Sequence, residues 1–210
     1  MVTAAVWIAI RIGAALSSAT VELAEDETYI DLDLEGGELG GNRGVTIQNG
    51  RLRRVSLLNT GFRFAHLQDV RLEDCDLSGV EFDHCRLERV ELLRCRLTGA
   101  QVKQTRASGL VMTGCPGLYV LFQEVNLRGA LVTDCQLREA TLQDCQWDGA
   151  EVRDTDLGEV VVMGGSWEGC DVRGSRLDGL RASLTDLRGL RCDVEQGATL
   201  LRGAGIDVVP

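Results

Sequence analysis

Aromatic residues and prolines are scarce in this chain of 210 residues. Aromatic side chains make up 4% of it although 44% of its residues are hydrophobic, so a core of large rings is excluded and Leu, Val, Ala and Cys must fill the interior. Two prolines stand against 25 glycines. This balance excludes a proline-rich linker and is typical of one domain with many tight turns.

Long apolar runs and the common catalytic motifs are also missing. The apolar N-terminal stretch has no basic start and is interrupted by Arg11, which disfavours a signal peptide or a membrane span. The alternation of Val6, Ile8, Ile10 and Ile12 with other residues predicts a strand or a short cap instead. No phosphate-binding loop, dinucleotide fingerprint or zinc-protease motif occurs, which disfavours the enzyme classes that use them.

The chain has fewer basic than acidic residues. It contains 22 Lys and Arg and 32 Asp and Glu, which gives a formal net charge of −10. The net charge is −6 over residues 1–50, +3 over residues 51–106 and −8 over residues 124–171. An acidic chain repels nucleic acid phosphates, so we expect no direct nucleic acid binding and favour a basic protein partner.

A hydrophobic residue recurs at every fifth position from Ile47 onward, and this repeat organises the sequence. A second row, mostly of small or β-branched residues, lies two positions earlier. A period of five fits neither an α-helix nor a β-strand, so the chain must turn a corner within every repeat. Four such sides would close one coil and bring positions i and i+20 onto the same side, which predicts a solenoid.

Residues 20 apart should then stack on each other, and the sequence agrees. One side of the coil collects Phe62, Phe82 and Phe122, and Trp147 lies one coil from Trp167. Another column is all leucine with a single gap: Leu57, Leu77, Leu97, Gly117, Leu137, Leu157 and Leu177.

The two phased rows, with units such as Cys-Asp-Leu-Ser-Gly at 75–79, resemble the pentapeptide repeat family. The resemblance implies an all-β fold, a right-handed quadrilateral parallel β-helix of seven to eight coils. At about 4.8 Å per coil the rod is on the order of 35 Å long. We expect residues 1–44 to form an N-terminal cap or a first irregular β-coil, residues 45–195 the repeat β-helix, and residues 196–210 a C-terminal cap or a dimerisation tail.

Cysteine and histidine chemistry finds little support in the sequence. Seven of the eight cysteines fall in the inward row of small residues and Cys192 falls in a large slot, while no CxxC spacing exists. We therefore interpret them as core side chains and expect no metal and no cofactor. Unpaired buried thiols favour a reducing compartment, the cytoplasm. His66 and His84 occupy outward positions without a nucleophile at a recognisable spacing, so we expect no catalytic residues.

One predicted binding surface is acidic. Like charges 20 apart, such as Asp134 and Asp154, would stack on adjacent coils, which is unfavourable unless a partner or solvent and salt compensate it. The residues of this acidic patch are Asp134, Glu139, Glu151, Asp154, Asp156, Glu159 and Asp171.

A second predicted surface is apolar and lies beside the gap in the leucine column. Clustered outward apolar residues suggest an interface, although Leu118 could instead turn inward and fill the gap at Gly117. The residues of this apolar patch are Val111, Leu118, Tyr119, Leu121 and Leu131.

These features favour non-enzymatic protein binding. Some pentapeptide repeat proteins protect type II topoisomerases from inhibitors with an acidic rod that resembles duplex DNA, so the resemblance implies such a topoisomerase, gyrase above all, as the specific partner. The alternative from another class is a structural adaptor that docks or stacks protein partners, including a homodimer formed through a terminal cap. A third hypothesis is a carbohydrate-active parallel β-helix, because residues 29–50 have the pattern of a larger coil. Asp31, Asp33 and Glu35 would supply the carboxylates of such an enzyme, but these residues lack aromatic neighbours. We expect no membrane association.

Overall fold

A parallel β-solenoid of about seven turns forms the structure, a computed structural model that describes residues 11–12 and 20–209. The predicted all-β coil architecture is confirmed. Val6, Ile8 and Ile10, for which a strand is predicted, lie outside the described residues.

The described residues contain 18 strands and one helix. Most strands span three residues, because the chain turns a corner after each side of the coil. They are β1 Arg11–Ile12, β2 Thr20–Glu22, β3 Thr28–Ile30, β4 Asp33–Glu35, β5 Glu38–Gly40, β6 Thr46–Arg53, β7 Gly61–Arg63, β8 His66–Glu73, β9 Glu81–Asp83, β10 Arg86–Leu93, β11 Gln101–Lys103, β12 Arg106–Ser108, β13 Val111–Thr113, β14 Leu121–Gln123, β15 Leu131–Thr133, β16 Thr141–Gln143, β17 Glu151–Arg153 and β18 Val161–Met163, followed by the helix α1 Val194–Gly203.

The strands of the repeat region pair in parallel, position i with position i+20. In a six-stranded sheet of order β18-β16-β14-β11-β9-β7, Phe62 pairs with Phe82. In a ten-stranded sheet that contains β6, β8 and β10, Leu67 pairs with Leu87. Residues 20 apart therefore lie one above another, as the sequence predicts.

Both predicted inward rows form the core. The rings of Phe62 and Phe82 stack with centroids 5.2 Å apart, and those of Trp147 and Trp167 stack at 5.6 Å. All four rings are buried, which confirms their predicted inward positions. Burying one large apolar side chain contributes roughly 1.5–3 kcal/mol, so stability accumulates along the columns.

Gly117 interrupts the leucine column without leaving room for a side chain. A Cβ atom at this position would lie 2.9 Å from Val120 Cγ2 and 3.1 Å from Leu97 Cβ, so neighbours already occupy the space. Leu118 remains 40% exposed and does not turn inward to fill the gap. An apolar cavity of about 40 Å³ lies instead beside Ala107, which Leu87 and Leu127 flank in its column.

The segment from Thr20 to Gly44 continues the coil with a different step. Thr28 pairs with Thr46, which is position i with position i+18, and the step of 20 begins where Arg43 bridges to Arg63. The change of step falls next to the boundary predicted at residue 44.

The helix α1 covers the C-terminal end of the coil. The Asp193 side chain accepts a hydrogen bond from the Gln196 amide at 2.9 Å, and Gln196 Oε1 accepts one from the Asp193 amide at 2.9 Å, which forms a capping box. The buried Gln196 Nε2 also donates to the carbonyl oxygens of Val172 at 2.7 Å and Ser175 at 2.6 Å. Gln196 thereby satisfies backbone groups at the end of the solenoid.

Candidate protein-binding surface

The corners of the coil carry four of the acidic residues predicted to bind a partner. Asp134, Glu139, Asp154 and Glu159 have φ angles of 54°, 56°, 49° and 59°. Asp134 and Asp154 occupy one corner on adjacent coils, and Glu139 and Glu159 occupy the next, because these coils pair in register. The backbones of each pair are thus about one strand spacing, roughly 4.8 Å, apart along the rod.

Three of these four carboxylates lack a cationic partner. Among the described residues, no Lys, Arg or His nitrogen lies within 4.0 Å of Asp134, Glu139 or Asp154. Glu159 accepts a hydrogen bond from Arg138. Two like charges about 5 Å apart repel each other by roughly 1 kcal/mol in water, so the stacked acids are open to neutralisation by a cationic partner.

Two further residues of the acidic patch are partly neutralised. Asp156 Oδ2 lies 2.9 Å from Arg176 Nη2 and 3.8 Å from Arg138 Nη1. Glu151 Oε2 lies 3.9 Å from Arg153 Nε, at the limit of an ion pair. Asp156 therefore stabilises the contact between coils more than it offers charge to a partner.

Asp171 is buried and does not belong to an exposed surface. Its Oδ2 atom lies 2.7 Å from Arg173 Nη2 and 2.6 Å from Arg153 Nη2. Hydrogen bonds from the Arg173 side chain, together with its backbone amide and the charge of Arg153, lower the pKa of Asp171 to about 2. The ion pairs tie neighbouring coils together, so the role of this residue is structural.

The substitution Asp171→Asn is expected to lower the free energy of unfolding at pH 7 by about 2 kcal/mol, because it removes the negative charge that Arg153 and Arg173 contact. The pKa of Asp171 is depressed in the folded state, so its contribution is full above the unfolded value of about 3.9 and is lost as the pH falls towards 2. Urea unfolding of the wild type and the variant between pH 2 and pH 7 measures how the difference in their free energies of unfolding changes with pH. Asp154→Asn removes an unpaired carboxylate and should change little; an Asp171 effect that does not shrink in acid would contradict the assignment.

Glu124 and Asp144 form a third acidic corner that the sequence analysis missed. Their φ angles are 53° and 51°, and they occupy the same corner of adjacent coils. Glu124 accepts a hydrogen bond from Gln104 at 3.2 Å, but no cation lies within 4.0 Å of either carboxylate among the described residues. The rule that finds like charges 20 apart would have identified this pair.

The charge density of these coils is close to that of a nucleic acid duplex. Residues 124–171 hold eleven acidic and three basic residues, a net charge of −8. They occupy about two and a half coils, roughly 12 Å of the rod, so one net negative charge falls about every 1.5 Å. Duplex DNA carries one per about 1.7 Å. A protein that binds the DNA backbone would therefore meet a similar density of charge here.

The predicted apolar patch is divided between sides of the coil. Val111 pairs with Leu131 in the ten-stranded sheet, whereas Leu121 lies in the six-stranded sheet. Leu118 and Tyr119 lie in the turn between them. Leu131 and Tyr119 are 44% and 59% exposed, and Val111 and Leu121 are half-buried. The structure thus brings together two small apolar groups rather than one face.

Of the three carboxylates predicted for glycoside chemistry, Asp33 and Glu35 are held by arginines, and Asp31 accepts a hydrogen bond from Asn49. Arg53 Nη2 lies 3.3 Å from Glu35 and 3.7 Å from Asp33, and Arg54 also binds Glu35. Carboxylates engaged in this way offer little support for glycoside chemistry, which needs a free acid and a free base flanking a substrate.

Among the described residues, the cysteine and histidine side chains form no metal-binding cluster. Burial raises the pKa of the Cys85 thiol to about 11 and that of Cys170 to about 12, so both are neutral at physiological pH. His84 Nδ1 lies 2.7 Å from Asp83 on the surface. Within residues 20–209 no group of three or more His, Cys, Asp or Glu side chains is placed to hold a metal ion. The helix α1, the one helix among the described residues, spans 10 residues and is too short to cross a bilayer.

A protein-family model for pentapeptide repeats matches the sequence. The match comprises eight copies over residues 57–92, 75–114 and 121–158. No curated protein sequence matches the chain.

Solved structures with a similar coil include three proteins of different roles. Trypsin-treated QnrB1, a plasmid-mediated fluoroquinolone resistance protein, is 18% identical over 81% of this chain and 99% of its own, with a TM-score of 0.41. HetL of Nostoc sp. strain PCC 7120, a pentapeptide repeat protein involved in heterocyst differentiation regulation, is 17% identical over 84% and 88%, with a TM-score of 0.22. The A-module of the Azotobacter vinelandii mannuronan C-5 epimerase AlgE4 is 12% identical over 85% and 71%, with a TM-score of 0.33. At identities and TM-scores this low, none of the three assigns a partner or an activity to this chain.

Proposed function

This chain belongs to the pentapeptide repeat family, and on that premise we propose that it works by binding a protein rather than by catalysis. The specific partner we propose is a type II topoisomerase, gyrase above all, which the bound rod would protect from inhibitors. The acidic corners would enter the DNA-binding surface of that enzyme in place of duplex DNA.

The charge of residues 124–171 is the observation that carries this proposal. Three corners of adjacent coils present stacked carboxylates, and Asp134, Glu139 and Asp154 have no cation within 4.0 Å among the described residues. A protein surface that binds DNA is basic and spaced to meet phosphates, so it complements this arrangement. The solenoid backbone fixes the positions of the corners, which limits the ordering that binding would require.

The test is a gyrase supercoiling assay inhibited by a fluoroquinolone, with the purified chain added in increasing amounts. We expect the wild-type chain to restore supercoiling and the variant Asp134→Lys/Asp154→Lys to need about tenfold more protein or to fail. Neither carboxylate has an ion partner, so the variant should fold normally, which far-UV circular dichroism checks. The matched control Glu25→Lys/Asp207→Lys makes the same change of net charge towards the ends of the chain and should act like the wild type.

Two results would count against this partner. Failure of the wild-type chain to restore supercoiling at any concentration would exclude protection of gyrase. Equal loss of activity in the corner variant and in the control would show that net charge, not the acidic corners, governs the effect.

The adaptor alternative rests on a different observation, the exposure of Tyr119 at a corner and of Leu131 in β15. Exposed apolar side chains of this size on a rod suggest contact with another protein. The variant Tyr119→Asp distinguishes the alternatives in the same assay, because an acidic DNA mimic should tolerate an added carboxylate whereas an apolar interface should not.

A further inference from the structure

Phe64 lies on the corner that Glu124 and Asp144 occupy three and four coils further on, but in a part of it that holds no acidic residue. It joins β7 to β8 with a φ angle of 56°, and the residue is 45% exposed. A bulky aromatic residue is uncommon in the left-handed region, which favours glycine, asparagine and aspartate. The same corner of the neighbouring coils holds Gly44 and His84. Most other corner positions hold glycine or a polar residue, so an exposed aromatic ring is an exception among the corners.

Two guanidinium groups lie against the Phe64 ring. The Cζ atoms of Arg43 and Arg63 are each 5.3 Å from the ring centroid, and the His84 ring is 5.1 Å from it. Asp83 lies 3.1 Å from Arg63 Nε, whose charge it partly neutralises, and 2.7 Å from His84 Nδ1. Arg43 has no carboxylate within 4.0 Å among residues 20–209. Its guanidinium group is therefore oriented by the ring and open to an anion.

A groove of about 390 Å³ runs along this corner beside the ring. Its largest side chains are Phe64, His66, His84, Arg86, Gln104 and Arg106. No described carboxylate lines it; Arg86 meets Glu88 only at 3.8 Å, and Arg106 has no carboxylate within 4.0 Å. Elsewhere on the rod Arg89 binds both oxygens of Asp69, at 2.5 and 2.7 Å. The groove thus gathers arginines without the close ion pairs that other arginines form.

We infer that this basic corner, defined by Arg43, Phe64, Arg86 and Arg106, binds an acidic segment of a partner protein in an extended conformation. Guanidinium groups pair with carboxylates through two parallel hydrogen bonds, and Phe64 offers an apolar contact beside them. Arg43 and Arg106 lie three coils apart, about 14 Å along the rod, so two carboxylates about four residues apart in an extended peptide would reach both. This surface lies on earlier coils than the stacked acids of residues 124–159, and the inference does not depend on the function proposed for them.

A nucleic acid strand fits this corner less well than an acidic peptide. The groove leads on to Glu124 and Asp144, whose carboxylates repel a longer polyanion. The net charge of −10 acts in the same direction. Affinity for nucleic acid draws on many phosphate contacts, whereas this corner offers few arginines without a close carboxylate.

Fluorescence anisotropy tests the inference with a fluorescein-labelled peptide that carries two glutamates about four residues apart and a phenylalanine between them. We expect the full-length chain to bind it and Arg43→Glu/Arg106→Glu to weaken binding by about tenfold or more, because both cations become repulsive. Phe64→Asn keeps a side chain suited to positive φ and should weaken binding several-fold. The control Arg181→Glu/Arg188→Glu makes the same charge change outside the corner and should bind like the wild type.

Three outcomes would overturn the inference. The first is no binding of the acidic peptide by the wild-type chain, and the second is equal loss in the corner and control variants. The third is tighter binding of a single-stranded oligonucleotide of the same length than of the peptide. The peptide assay contains no topoisomerase, so its failure and that of the proposed function are distinguishable.

Discussion

Gly165→Ala is expected to lower the free energy of unfolding by about 4 kcal/mol or more. Gly165 has a φ angle of 90°. A Cβ atom at this position would lie 2.8 Å from the amide nitrogen of Cys145 and 3.0 Å from its carbonyl carbon, and it would overlap the carbonyl oxygen. The clash is with the backbone of the neighbouring coil, so no side-chain rotation relieves it. Urea unfolding followed by far-UV circular dichroism measures the loss.

Gly149→Ala is the matched control for this prediction. Gly149 also has a positive φ angle, 64°, but a Cβ atom at this corner would meet nothing within 4 Å. The expected cost is about 1 kcal/mol from backbone strain alone. Equal losses at the two positions would mean that the coils do not approach each other at Gly165 as the structure has it.

The periodic part of the fold was predictable because one physical requirement repeats. Every fifth residue must fill the inside of a four-sided tube, so Leu77, Phe82 and Trp147 reveal their positions through spacing alone. The stacking of position i on position i+20 follows once four sides close a coil, and β9 and β10 pair with their neighbours at that step.

The first coils could not be predicted in the same way. Between Thr20 and Gly44 the step is 18, and the fifth-residue pattern that guides the rest of the chain is not kept there. The sequence contains alternating apolar residues such as Leu32 and Leu34, which are buried, but alternation alone does not give the length of a coil.

The positions of the acidic residues on the coil were predictable from the sequence, but their ion pairs were not. Asp134 and Asp154 were found as exposed stacked acids by their spacing of 20. Asp171 was grouped with them although it is buried between Arg153 and Arg173, which lie 18 and two positions away in sequence. Which of several nearby arginines a carboxylate meets depends on side-chain rotamers and coil packing, and a periodic pattern does not contain that information.

Deleting one whole coil tests the stacking most directly. Removal of residues 121–140 joins Val120 to Thr141 and leaves every later residue on its own side of the tube, because Thr141 pairs with Leu121. Removal of residues 121–138 instead moves Leu142 and Trp147 from the inside of the tube to corners that face water. The two deletions are nearly equal in length, so chain length alone does not separate the variants.

Far-UV circular dichroism during urea unfolding compares the two deletions. We expect the variant that lacks a full coil to keep the β-sheet spectrum and unfold cooperatively, since each coil contacts only its neighbours. The variant with the shorter deletion should lose cooperative unfolding, because its later core residues are exposed. Equal stability of the two variants would contradict the stacking of residues 20 apart around a four-sided coil.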